Sequence, residues 1–181
     1  MAIDFQQQRD NLVEILTSNV SRSVLSISDM ARQFTTWYDE MIKKSGQDAL
    51  YGNAVVQANV NAFQSALVAA FQSAASSTVS INAQIATAFQ TAVIGYWTGA
   101  RLETTMPPPP STQVVSNAIV NPGTFQTTIP TTSDTIQEFV ENSLITPIQA
   151  HLATVSGITT GLTPQPTGAP IPVPYPFQGY I

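Results

Sequence analysis

The sequence predicts a mainly α protein: an antiparallel helical bundle with a Pro-rich extended C-terminal region and room for one short β-hairpin. Three observations predict it. All thirteen prolines of the 181-residue chain lie at or after Pro107; proline costs about 3 kcal/mol inside a helix, so residues 1–106 are free to form long helices. Apolar residues recur every three or four positions over residues 12–41 and again over 60–96, the period of an amphipathic helix. Over residues 170–177, proline alternates strictly with a large apolar residue, a period of two that belongs to extended chain.

The first helical segment opens at Asp4, whose carboxylate can accept a backbone N–H as an N-cap. Leu12, Leu16, Val20, Val24, Ile27, Ala31, Phe34, Tyr38 and Met41 form its stripe. Lys43 and Lys44 fall in the last turn, where cations suit the helix dipole, and Gly46 sits where a C-terminal cap is expected. Ser and Thr crowd residues 17–28, the place for a break.

Asp48 or Asn53 is expected to begin the next segment, whose stripe is Val60, Phe63, Leu67, Phe71, Ala74, Thr78, Ile81, Ile85, Phe89, Ala92 and Tyr96. Ser76-Ser77-Thr78 leaves open whether residues 49–98 are one helix or two. Alanines 62, 66, 69, 70, 83 and 86 flank the stripe and permit close helix approach. Gly99 and the run Pro107-Pro108-Pro109-Pro110 end the helical region, and four consecutive prolines favour a stiff polyproline II spacer.

Beyond the spacer, residues 112–129 alternate loosely around Asn121-Pro122-Gly123, a turn signal that suits a short hairpin or an ordered loop. Thr132, Ser133 or Asp134 is expected to cap one more helix, carrying Ile136, Val140, Leu144, Ile148, Leu152 and Val155. Pro147 should kink or divide it, and Gly157 should stop it. Residues 163–181 are expected to bury their apolar side chains by docking as an arm across a neighbouring copy. The organisation expected is therefore a helical bundle over 1–103, a Pro-rich linker, ordered loop or hairpin over 104–131, an additional helix over 132–157 and an extended Pro-rich arm over 158–181.

Charge excludes several function classes. Charged residues are 9% of the chain, with a net charge of −5, against about 25% in an ordinary globular domain. Lys43-Lys44 is the one basic pair, too little for the several phosphate contacts that nucleic-acid binding requires. The first residues predict no signal peptide, and no apolar run reaches the ~18 residues of a membrane span. With no cysteine, disulfides and thiolate metal sites cannot form. Residues 49–100 hold no Asp, Glu, Lys, Arg or His, and residues 142–181 hold none except His151. A solvated helix carries charge on its outer face, so a long neutral stretch is expected to meet protein on its polar side as well.

Catalytic chemistry finds little to work with. His151 is the only histidine and reads as a surface or lightly hydrogen-bonded helix residue; a small hydrolase would have to use it. Asp39 with Glu40, and Glu138 with Glu141, are acidic pairs that read as solvated helix faces. No phosphate-cradling loop, calcium loop or zinc-protease motif occurs. No enzyme activity, cofactor, metal or small-molecule substrate is expected. Trp37, Tyr38, Tyr96 and Trp97 read as core or interface anchors. Trp97-Thr98-Gly99 also matches the Trp-x-Gly turn of small secreted helical-hairpin proteins, an alternative that makes the chain a secreted or surface helical-hairpin binding module with a helix on each side of Gly99.

A set of short motifs in the second half adds a resemblance. Tyr96-Trp97-Thr98-Gly99-Ala100, Met106 with its four prolines, Val115-Ser116-Asn117 and Asn121-Pro122-Gly123 are its first members. His151-Leu152, Thr154-Val155-Ser156-Gly157 and the closing Pro/aromatic tail complete it. Over residues 96–181 the sequence resembles virion structural proteins of large tailed bacteriophages. The resemblance implies a non-enzymatic particle component of capsid, neck, tail or baseplate, present in many copies and assembled in the host cytoplasm. Its partners would be further copies of itself and other virion proteins, without nucleic acid or membrane. Trp97, Ile171, Val173, Tyr175 and Phe177 are the expected interface anchors.

Overall fold

A computed structural model describes residues 2–21, 26–47, 54–74, 80–103, 113–131, 134–163 and 171–181. The order is α1 (Phe5–Ser21), α2 (Ile27–Glu40) running into a π-helical turn (Met41–Ser45), β1 (Ala54–Gln57), α3 (Val60–Ala74), α4 (Ile81–Trp97), β2 (Arg101–Glu103) and β3 (Gln113–Asn121). Then follow α5 (Ile136–Phe139), a π-helical segment (Val140–Ile145), α6 (Thr146–Leu152), β4 (Ser156–Thr163) and β5 (Ile171–Gln178). The fold is mainly α, with two small antiparallel sheets.

Local chemistry sets the helix ends. The Asp4 carboxylate accepts from the Gln7 N–H at 3.1 Å and starts α1. The Ser-rich break falls before α2, where Ser26 caps by accepting from the Asp29 N–H. The next helix starts later than Asp48 or Asn53, which lie outside the described residues. Strand β1 intervenes, and the Asn59 side chain accepts from the Ala62 N–H at 3.1 Å to open α3. Helices α3 and α4 are separate elements, α4 starting from the Ser80 cap; Ser76, Ser77 and Thr78 lie outside the described residues.

Helices α3 and α4 are antiparallel. Ser73 donates to Gln84 at 3.3 Å at one end, and the Asn59 N–H donates to the Tyr96 carbonyl at 3.0 Å at the other. Near that second end, a Cβ added to Gly95 would lie 3.3 Å from the Ala62 methyl, so small residues do set the close approach. The short β1–β2 ladder pairs Val55 with Leu102 and clasps the base of this helix pair.

Both predicted stripes supply one core. Phe34, Tyr38, Met41, Phe63, Leu67, Phe71, Ile85, Phe89, Ala92 and Tyr96 are buried together. Tyr38 stacks on Phe63 at 4.8 Å between ring centroids, while Phe34 meets Phe89 edge-on at 5.8 Å, both favourable aromatic geometries. Ile81 departs from the pattern: it sits in the first turn of α4 and is 50% exposed.

The third helical region starts one residue later than expected. Thr132 and Ser133 lie outside the described residues, and Asp134 instead accepts from the Thr131 N–H at 2.8 Å. The cap is Thr135, in a reciprocal capping box with Glu138. Pro147 acts as predicted. In an α-helix its missing N–H would have met the Ser143 carbonyl, and its ring would crowd that oxygen. The chain widens to π geometry over Val140–Ile145, and the Ser143 carbonyl accepts from the Thr127 hydroxyl at 3.0 Å. The helix closes at Leu152, short of the expected Gly157, because Ser156 already begins β4.

The expected hairpin within 112–129 is replaced by a longer-range pairing. Strand β3 pairs with β4, Val120 opposite Gly157 and Asn121 opposite Ser156. Asn121-Pro122-Gly123 does turn, with Asn121 Oδ1 accepting from the Gly123 N–H at 3.1 Å and Gly123 at φ +69°. The chain after it runs irregularly across the body instead of returning along β3, because Phe125 is buried and Pro122 is tied to His151. The Pro107–Pro110 spacer lies outside the described residues.

Candidate functional site

The C-terminal residues read as an arm for a neighbour are docked on their own chain. Strand β5 pairs antiparallel with β4 from Ser156–Gln178 to Thr163–Ile171, completing the sheet order β3-β4-β5. In an antiparallel ladder, alternate residues turn both backbone groups toward the neighbouring strand. Prolines cannot donate, so Pro172, Pro174 and Pro176 must take the positions directed away from β4. The free edge of the sheet is therefore missing alternate donors. Pro174, Pro176 and Gln178 are exposed while Phe177 is buried. The side chains of Ile171, Val173 and Tyr175 lie outside the described residues.

After β5 the chain turns at Gly179, with φ +88°, and drives Tyr180 into the helical body. The Tyr180 hydroxyl donates to the Ile42 carbonyl at 2.9 Å and accepts from the Val55 N–H at 3.1 Å. Its ring meets Trp97 edge-on at 5.1 Å and lies over Gly46, where an added Cβ would collide with it and stand 2.8 Å from the Ile42 carbonyl. Gly46 does end the helical run, but with φ −96°; glycine is required there for the close approach of Tyr180 and not for a left-handed cap. Backbone bonds fix both flanks of the plug: Tyr180 N–H to Leu152 at 2.8 Å, Ile181 N–H to Gln47 at 2.7 Å, and Gln47 N–H back to Ile181 at 2.8 Å.

Trp97 was expected at an interface between copies and is instead fully buried in its own core. Its indole N–H donates to the Tyr38 hydroxyl at 3.0 Å, which satisfies the polar atom that burial would otherwise strand. Burial pushes the Tyr38 hydroxyl above its ordinary pKa, with the indole bond opposing. The Tyr96 phenol is held up by burial first, then by donating to Asp39, at 2.8 Å. Asp39 also pairs with Lys43 at 2.9 Å, so this carboxylate serves the core and not a free acidic face. Its neighbour Glu40 pairs with Lys44 on the surface. Glu138 closes its capping box, and the Thr135 N–H and hydroxyl hold its carboxyl below the ordinary value. Glu141 faces Arg9 at 3.7 Å.

His151 is 1% exposed, not a surface residue. Its Nε2 lies 2.6 Å from the Pro122 carbonyl, so Nε2 carries the proton and Nδ1 is the bare nitrogen, buried without a partner among the described residues. Phe125 and Trp97 pack on the ring. Desolvation lowers its pKa to about 4, against the raising effect of the carbonyl bond. A hydrolase would need this ring within reach of substrate, and it is sealed. The helix required after Gly99 by a helical-hairpin module is replaced by strand β2. Among the described residues no group of three His, Cys, Asp or Glu side chains is placed to hold a metal, and no helix is long and apolar enough to cross a membrane.

The remaining candidate is a surface. Asn61, Ser65, Ala69, Gln72, Ser73, Thr87, Gln90 and Thr91 are exposed along α3 and α4, and neither helix carries a charge. Between them runs a groove of about 450 Å³ floored by Ala66, Ala70, Ala83 and Ala88 and closed at one side by Ile129, itself 55% exposed. Comparison of the chain with protein-family models, with curated proteins and with solved structures gave no match.

Proposed function

We propose that this protein is a non-enzymatic structural subunit of a symmetric multi-subunit assembly, and specifically a component of a bacteriophage particle. The observation that carries the assembly reading is the neutral outer face of the α3/α4 pair. A face that stays in water gains solubility from Lys and Glu at no packing cost, and near-neutral surfaces associate. A face that meets another subunit benefits from amides, hydroxyls and methyls, which can be buried without the desolvation penalty of unpaired ions. Gln72, Gln90 and Thr91 are of that kind, and the alanine groove between the helices accepts close approach. The particle assignment is supported by the resemblance of residues 96–181 to virion structural proteins of tailed phages.

The test places charge on the face without disturbing the core. Ala69→Glu and Thr91→Glu, together in the full chain, replace exposed side chains in helices that tolerate Glu well. The expected result is loss of assembly on sizing with an unchanged helical circular dichroism spectrum. Assembly that survives both carboxylates would reject this face as the contact.

A further inference from the structure

We propose that the cleft between α1 and α2 is a peptide-binding site. It takes an extended segment of a partner protein, with a backbone carbonyl accepting from the Trp37 indole N–H and a basic side chain beside Glu14. The site lies on other elements than the neutral α3/α4 face and goes beyond the assembly reading.

The cleft has a volume of about 520 Å³, within the ~300–1,000 Å³ of small-ligand sites. It adjoins a second hollow of about 220 Å³ that shares Asn11, Trp37 and Glu40 with it. Together they follow α1 from Gln7 to Ser18, about 16 Å at 1.5 Å per residue. About five residues of extended chain, at roughly 3.3 Å each, cover that length. The lining also selects extended chain over helix. A docking helix has its backbone bonds satisfied within itself and needs an apolar groove. Here Ile15 and Trp37 are accompanied by Asn11, Glu14 and Thr36. An extended segment presents free N–H and C=O groups, which an amide such as Asn11 and a hydroxyl such as Thr36 can pair.

Trp37 supplies the anchor. It is 6% exposed, and its indole N–H is buried without an acceptor among the described residues. The other tryptophan, Trp97, has its N–H on the Tyr38 hydroxyl. A stranded buried donor is costly, and a tryptophan whose N–H awaits an acceptor suits an interface. The N–H is closed to solvent, so its acceptor comes with an occupant that enters the cleft and turns aside exposed side chains around it.

Charge selects the side chain. Arg32 pairs with Asp29 at 2.8 Å and Glu40 with Lys44 at 2.9 Å. Glu14 lines the same cleft and has no ion pair among the described residues. The charge left uncompensated is therefore negative, which favours Lys or Arg on the occupant. An exposed pair of this kind contributes selectivity more than affinity.

The test uses the isotope-labelled 181-residue chain, whose spectra hold two indole cross-peaks, one for each tryptophan. Trp37→Phe assigns them by removing one. The probes are the blocked pentapeptide acetyl-Ala-Ala-Lys-Ala-Ala-amide and the same peptide with Glu in place of Lys. The Lys peptide should move the Trp37 indole peak saturably and leave that of Trp97 in place, and the Glu peptide should bind more weakly. Glu14 is exposed, so Glu14→Gln keeps the fold; it should weaken the Lys peptide about two- to fivefold and remove the preference between the two. A Trp37 peak that neither peptide moves overturns the site. Equal binding of both peptides, or affinity for the Lys peptide unchanged in Glu14→Gln, overturns the assignment of a basic occupant. Sizing of the same samples reads the assembly separately, so failure of either idea leaves the other standing.

Discussion

The Tyr180 hydroxyl donates to the Ile42 carbonyl at 2.9 Å, joining the penultimate residue of the chain to the end of its second helix. The same oxygen accepts from Val55, which starts the clasp around α3 and α4. One phenol therefore ties together the π-helical turn, the β1–β2 ladder and the C-terminal strand.

Removing that hydroxyl should be costly although it deletes a single atom. Tyr180→Phe leaves the buried Val55 N–H without its bond and takes a donor from Ile42, a loss of about 1–3 kcal/mol. Urea unfolding of the two proteins measures it, and a midpoint unchanged by the substitution would show the bonds to be idle.

Gly46 and Tyr180 should be energetically coupled. Gly46→Ala drives a methyl into the Tyr180 ring, and overpacking of this sort costs about 1–3 kcal/mol. In a Tyr180→Ala background most of that cost should vanish, leaving only the crowding of the Ile42 carbonyl. A double-mutant cycle by urea unfolding reads the coupling directly; additive effects would mean that the ring is not what makes glycine necessary.

The buried phenols set the alkaline limit. Tyr38 and Tyr96 are raised above the ordinary value of 10, chiefly by burial. A folded pKa above the unfolded one gives stability that is complete below pH 10 and is lost as the pH rises beyond it. Phenolate absorbance should therefore show fewer than the full five tyrosines titrating near pH 10 in the native protein, and all five in urea. Five normal titrations in the native protein would contradict the buried cluster.

His151 sets an acid limit of opposite sign. Its pKa is near 4 in the fold and 6.5 when free, so the unfolded chain binds the extra proton first. The contribution is complete above pH 6.5 and is lost as the pH falls toward 4, about 3 kcal/mol in all. His151→Gln keeps an N–H for Pro122 and does not titrate. Its stability should fall less than that of the parent between pH 6.5 and 4, with the carboxylates contributing equally to both. Parallel curves would place the imidazole in water.

Local features were readable from the sequence where they depend on near neighbours. Asp4 caps, the stripe residues Phe34, Tyr38, Phe63, Leu67, Phe71, Ile85, Phe89 and Tyr96 are core, Pro147 breaks the α-helix, and the Pro/apolar alternation is a strand. Thr135-x-x-Glu138 is a capping-box pattern that was there to be read; the nearby Thr132-Ser133-Asp134 cluster masked it with three equally good caps. Partners far along the chain left no such trace. Nothing near Val114 or Val120 points to β4 as their strand partner, and nothing around Tyr180 points to Gly46. Trp97 shows the limit most clearly, because an aromatic anchor looks the same whether it fills its own core or a neighbour's. For His151 the sequence leaves a surface residue and a lightly hydrogen-bonded helix residue side by side; the Pro122 carbonyl that decides for the second approaches only in three dimensions.

Assembly is tested most directly by the native mass of the unmodified 181-residue chain, followed on dilution by mass spectrometry or light scattering. Subunits joined through the neutral α3/α4 face should give a defined multiple of 19.4 kDa that persists as the concentration falls. A monomer that stays soluble and folded at every concentration would contradict the proposed role.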